Sequence, residues 1–194
     1  PLKESLAATL VLFSGWKFRT PLYDLMCGSG TILIEAAMIA RNIAPGLQRE
    51  FDYLYFPWYE LGNHDKAIKE ARAKIYDKSY QIFGSDRDEY MIDIACKNAS
   101  RAGVLDTIQF RESDLRDVSF LPDSHIITNP PYGKRLGDEN LEELYDTLED
   151  KMLSNNLSGG VITSVDFFPK NQKDWTKKNL MNGAEKCQFW RKMS

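Results

Sequence analysis

No apolar run in the sequence approaches the roughly 18 residues that a membrane-spanning helix requires. Its first residues show neither the charged segment nor the small-residue cleavage site of a secretory signal, so a cytoplasmic setting is the expectation. The three cysteines, Cys27, Cys96 and Cys187, lie far apart and form no CxxC pair, and only His64 and His125 could join them at a metal. Neither a disulfide framework nor a metal centre is therefore expected. Positive charge is also in short supply: 25 Lys and Arg against 28 Asp and Glu leave a net charge of −3. Nucleic-acid affinity comes largely from cations that replace counterions on phosphates, so this chain alone should bind RNA poorly. Repeats and low-complexity segments are absent as well. What remains, 194 residues of which 43% are hydrophobic, suits a single domain over residues 1–194. The first residue is Pro1 rather than methionine, and the expectation is that the sequence is a piece of something longer.

Strand-like and helix-like segments alternate along the chain. Leu6 to Leu12 has helical composition and stops at Gly15, PLYDL reads as a short strand, and TILIEAAMIARN reads as a helix. Residues 43–64 fit no clean period and carry the aromatic run FDYLYFPWYE, which reads as an insertion, followed by a helix over HDKAIKEARAKIYDK. Four short apolar strands are expected in YQIFGSD, DTIQFRESD, SHIITNPPY and GGVITSV. A helix separates the first two, with Ile92, Ala95, Cys96 and Ala99 on one face and Gly103 as its stop. Another separates the last two, with Leu141, Leu144, Tyr145, Leu148 and Met152 on one face. Such alternation implies an α/β fold, a mainly parallel sheet covered by helices on both faces. The pair Asn182-Gly183 between two strand-like runs signals a closing antiparallel hairpin.

Chemistry concentrates where strands end. Asp24-Leu25-Met26-Cys27-Gly28-Ser29-Gly30-Thr31 joins a strand to a helix, and its glycines allow a sharp turn and close approach to a ligand. Leu33 stands where a dinucleotide fingerprint needs its third glycine, and no Gly-Lys-Ser/Thr follows, so phosphate-binding loops are disfavoured. A plain tight turn is the other reading. Asp86, after the next strand, can accept two hydrogen bonds from a ribose diol, or can serve as a helix cap, a task Asp88 suits better. Asp114, after the third strand, is placed to accept from an adenine amino group. The decisive run is Asn129-Pro130-Pro131-Tyr132. An amine conjugated to a base ring is a weak nucleophile. The Asn129 amide oxygen and the Pro130 carbonyl can accept both its hydrogens as charge develops. Pro130 and Pro131 keep the loop rigid, and Tyr132 can stack on an extruded base.

This series, with Gly84-Ser85-Asp86 and the continuation Gly133-Lys134-Arg135-Leu136-Gly137, resembles class I S-adenosylmethionine-dependent methyltransferases, specifically the THUMP-associated RNA methylase family. Arg41-Asn42-Ile43-Ala44-Pro45-Gly46-Leu47 is similar to the large-subunit ribosomal RNA guanine-N2-methyltransferases within it. The resemblance runs from Leu2 to the final hairpin, although Leu25 stands where the family often has proline. It implies a Rossmann-like fold with a mainly parallel seven-stranded sheet, S-adenosyl-L-methionine as cofactor and S-adenosyl-L-homocysteine as product. The cofactor-binding positions it implies are Asp24, Cys27, Gly28, Ser29, Gly30, Thr31, Asp86, Arg87, Asp114 and Leu115. Asn129, Pro130, Pro131 and Tyr132 would face the target amine. The expected activity is methylation of guanine N2 in 23S ribosomal RNA, with no metal and no covalent intermediate. RNA would be held through an N-terminal THUMP-type region not found in these residues. Adenine-N6 methylation of DNA, glutamine-N5 methylation of a protein, and a non-catalytic cofactor-binding module are the alternatives.

Two further features are open at this level. The aromatics Phe51, Tyr53, Tyr55, Phe56, Trp58 and Tyr59 suit local core packing, with a base-stacking wall as the second reading. The basic residues Lys170, Lys173, Lys177, Lys178, Lys186, Arg191 and Lys192 form either a phosphate-contacting stripe or a solvated face. Cys27 is read as a small packing residue, not a nucleophile, and His125 as structural.

Overall fold

The computed structural model describes residues 2–60, 62–132 and 138–193. Five α-helices and one seven-stranded sheet are formed by these described residues: α1 Glu4–Ser14, β1 Leu22–Asp24, α2 Thr31–Ala40, α3 Asn63–Ala73, β2 Ile82–Asp86, α4 Glu89–Ala102, β3 Ile108–Glu112, β4 His125–Thr128, α5 Asp138–Ser154, β5 Ser158–Thr163, β6 Trp175–Asn182 and β7 Glu185–Lys192. The strand order is β3-β2-β1-β4-β5-β7-β6. Strands β1 to β5 run parallel, and β7 lies antiparallel between β5 and β6. The order reverses between β1 and β4, and in open sheets of this kind the crevice beyond the carboxyl ends at that point receives ligands.

Successive strand residues face opposite sides of a sheet, and adjacent pairs here divide accordingly. Leu22, Ile127, Ile162 and Phe189 enter a buried cluster with Leu10 of α1 and Leu33 of α2. Their neighbours Tyr23, Ile126, Val161 and Trp190 enter a second cluster with Tyr145, Leu148 and Met152 of α5. Strands β1, β4 and β5 are thus buried on both faces, as the interior of a parallel sheet requires, whereas the edge strand β3 buries only Ile108. Helix α4 starts at Asp88, whose carboxylate accepts the Tyr90 N–H at 3.0 Å, and stops at Gly103, which takes φ +71°. No helix among the described residues is long and apolar enough to cross a membrane.

The structure departs from the sequence reading at four places. Helix α3 ends at Ala73, short of Lys78, because the backbone beyond it bonds elsewhere: Tyr76 N–H donates to Arg41 O at 2.8 Å and Asn42 Nδ2 to Lys74 O at 3.0 Å. The hairpin turns one residue later than Asn182-Gly183 suggests, since Asn182 pairs with Glu185 and Gly183 supplies the positive φ. The aromatic insertion does not pack into the core. Tyr55 and Trp58 are 76% and 77% exposed, and its rings stack on one another, Phe51 on Tyr53 and Phe56 against Trp58. Nor do the C-terminal cations form one stripe. Lys177 and Lys178 are consecutive strand residues and point to opposite faces, over Trp190 and Phe13 respectively, while Lys170 pairs with Asp146 and Lys192 is buried.

Candidate active site

The carboxyl ends of the central strands open into a cleft of about 1190 Å³ that the candidate residues Asp24, Cys27, Gly28, Ser29, Thr31, Asp86, Arg87, Asp114, Leu115 and Asn129 to Tyr132 all line. Residues separated by more than a hundred positions, such as Asp24 and Asn129, meet here because they lie at or just beyond the carboxyl ends of strands of the same sheet. Gly30 is the exception. It caps α2 at φ +81°, and a Cβ there would lie 3.1 Å from the Ala95 Cβ and 3.3 Å from Phe110, so this glycine serves close packing of the turn on α4 and β3. The continuation Gly133 to Gly137 lies outside the described residues.

Gly28 takes φ +50°, and its N–H donates to Asp86 Oδ2 at 2.9 Å, so the ends of β1 and β2 organise one turn. Asp86 Oδ1 accepts the Asp88 N–H at 3.1 Å. A carboxylate offers about four acceptor positions, so about two stay open for a diol. Asp114 is more heavily engaged. Its oxygens accept from Arg116 Nε at 2.8 Å, Nη2 at 2.9 Å and the backbone N–H at 2.9 Å, and the Arg116 guanidinium lowers its carboxyl to about 2. Roughly one acceptor position is left for an amino group.

Asp24 is buried beneath the turn, where its Oδ1 accepts from Thr128 Oγ1 at 2.7 Å and from Met26 N–H at 3.2 Å. Burial outweighs both hydrogen bonds and pushes its carboxyl from 3.8 up to about 7. The folded state therefore binds this proton more tightly than the unfolded chain does. Its contribution to stability is full below 3.8 and lost as pH rises through about 7. Asp24→Asn should flatten that decline, and urea midpoints at pH 5 and pH 8 for both proteins check it. Burial, with the nearby carboxylates of Asp24 and Asp86, drives the Cys27 thiol strongly upward, which favours the packing reading over a nucleophile.

Pro131 and Tyr132 are anchored by groups that the sequence does not announce. The Tyr145 hydroxyl shares a 2.6 Å hydrogen bond with Thr163 and reaches Pro131 O at 3.5 Å, while Asn182 Nδ2 donates to the Tyr132 hydroxyl at 3.1 Å. Tyr145 reads in sequence as one apolar residue on a helix face, and only its hydroxyl hints at more. Asn129 lines the cleft, and its amide oxygen is buried with no hydrogen-bond partner among the described residues. A buried acceptor left unpaired costs about 1–3 kcal/mol, a cost that an incoming N–H donor removes.

A family model described as RMKL-like, methyltransferase domain, matches residues 1–189. The chain belongs to this methyltransferase family. Its cofactor is S-adenosylmethionine, and the residues present fit it: a left-handed Gly28 that clears the way for a ligand and an Asp86 with open acceptor positions. YpsC of Bacillus subtilis (strain 168), whose name marks it provisionally as an RNA methyltransferase, is 39% identical over 202 residues, covering 100% of this chain and 52% of its own length. Ribosomal RNA large subunit methyltransferase K/L of Shewanella baltica (strain OS185) is 44% identical over 212 residues, covering 97% of this chain and 28% of its own. This domain thus spans about half of one relative and just over a quarter of the other. The crystal structure of SMU.472 complexed with SAH superimposes with a TM-score of 0.95 at 34% identity, covering 100% of this chain and 53% of that one.

Proposed function

We propose that this domain methylates an exocyclic base amine in RNA, guanine N2 of 23S ribosomal RNA being the specific target. The observation that carries the reading is the unpaired Asn129 amide oxygen at the strand end beside the cofactor turn. The relatives' names support RNA, and the acceptor supports an amine. When bound, the cofactor supplies an electrophilic methyl group. Gly28, Asp86, Arg87, Asp114 and Leu115, which line the cleft, would hold it, with Asp24 and Cys27 beneath the turn and Ser29 and Thr31 beside it. Asn129 Oδ1 and the Pro130 carbonyl accept the two amine hydrogens, which orients the nitrogen lone pair and stabilises positive charge as the nitrogen becomes tetrahedral. Pro131, tethered by Tyr145, limits the loop's freedom, and the Tyr132 ring, fixed through Asn182, offers a face for the base. No group among these needs to form a covalent bond to substrate.

RNA capture beyond the target base falls to residues outside this chain. The net charge of −3 and the division of the C-terminal lysines between two faces support that division of labour. The test is methyl incorporation into unmodified 23S ribosomal RNA, followed by nucleoside mass spectrometry. N2-methylguanosine is the expected product. Methyl groups on adenine N6, or on protein glutamine and not on RNA, would replace the reading with one of its alternatives.

A further inference from the structure

Thr128 closes β4 with no solvent exposure, and its hydroxyl donates to Asp24 Oδ1 across 104 residues of sequence. Backbone pairing does not perform this join. The β1–β4 ladder matches Leu22 with His125 and Tyr23 with Ile126 and goes no further, so the two strands part company before Asp24 and Thr128. On its other side β4 stays paired, Thr128 with Val161 of β5. At the crevice, one side-chain hydrogen bond among the described residues thus spans the point where the strand order reverses. The residue after Thr128 is Asn129, and the residues after Asp24 form the cofactor turn. Asn129 itself has no hydrogen bond of its amide oxygen to hold it among the described residues.

We infer that Thr128 is a positioning residue, which fixes the Asn129 amide relative to the methyl donor by tying the end of β4 to Asp24. The inference rests on the role proposed above for Asn129. A purely structural Thr128 would satisfy the buried Asp24 carboxyl and nothing more. The difference is measurable, because a residue that acts through Asn129 loses its influence once the Asn129 amide is gone, whereas a structural one does not.

The experiment compares Thr128→Val and Thr128→Ser in the otherwise intact chain and in Asn129→Ala, with turnover at saturating cofactor, the RNA KM and calorimetric cofactor affinity as readouts. Thr128→Val should lower kcat about tenfold to a hundredfold, the scale of a misplacement on the order of 1 Å. Its KM and cofactor affinity should stay within roughly threefold, since Gly28 and Asp86 are held independently. Thr128→Ser keeps the hydroxyl and should restore most of the turnover. Within Asn129→Ala, Thr128→Val should cost less than about twofold. An equal fold-loss in both backgrounds, a loss of cofactor affinity in proportion to turnover, or an unchanged kcat in Thr128→Val would each overturn the inference. Should valine prevent folding, Thr128→Ala takes its place in the same cycle. Wild-type turnover in Asn129→Ala alone would instead remove the amine role, a separate failure with its own signature.

Discussion

Asn129→Ala is expected to bind S-adenosylmethionine with near-normal affinity while turnover falls about a hundredfold to a thousandfold, the usual consequence of deleting one preorganised partner of a transition-state charge. The separation of the two effects follows from the contacts. The cofactor turn is organised by a hydrogen bond between Gly28 and Asp86, whereas the Asn129 amide oxygen has no hydrogen-bond partner among the described residues. Removing an acceptor that nothing else uses should also leave folding intact, and relief of an unpaired buried oxygen could raise the denaturant midpoint slightly. Asn129→Asp is the softer change, because a carboxylate still accepts hydrogen bonds although its charge alters the fit. Methyl incorporation at saturating cofactor, set beside calorimetry, decides the matter. Equal losses in affinity and turnover would move Asn129 from the amine to the cofactor.

Asp86→Ala is expected to weaken cofactor affinity by roughly a hundredfold or more, since two charge-assisted hydrogen bonds to a diol would be lost. A second contribution comes from the turn itself. With Asp86 gone, the Gly28 N–H loses its 2.9 Å acceptor and the turn loses the bond that joins the ends of β1 and β2. Asp88→Ala serves as the contrast. Asp88 caps α4 through the Tyr90 N–H, so its loss should cost about 1 kcal/mol of stability while cofactor affinity stays within a factor of two or so. If the two variants bind alike, Asp86 is a cap and not a ribose ligand.

The α/β alternation, the strand ends and the Gly-rich turn were legible because each depends on local pattern. Apolar runs of strand length, a glycine stop at Gly103 and an acidic cap at Asp88 state their structure within a few residues. Gly28 and Gly30 look equivalent in sequence, yet one meets only Met91 Cε at 3.7 Å and faces the cleft while the other packs on Ala95. That distinction depends on α4, some sixty residues downstream. Asp114 looks like a free acceptor in the sequence, which does not show that Arg116 folds back on it. Thr128, Tyr145 and Asn182 show no site role in the sequence for a related reason: each looks ordinary in its own segment, and each acts through a partner in another element. The aromatic insertion misled because hydrophobic residues are read as core by default, whereas 51–59 stack mainly on themselves.

Strand β6 closes the sheet with eight residues and, among the described residues, no pairing partner on its outer side. Such a border is a template on which another molecule's strand could polymerise. Lys177 and Lys178, divided between the two faces, place a positive charge above and below that border. Two copies that tried to join edge to edge would bring like charges together on both sides. Charges so placed on an open edge discourage the strand-to-strand pairing that leads to self-association.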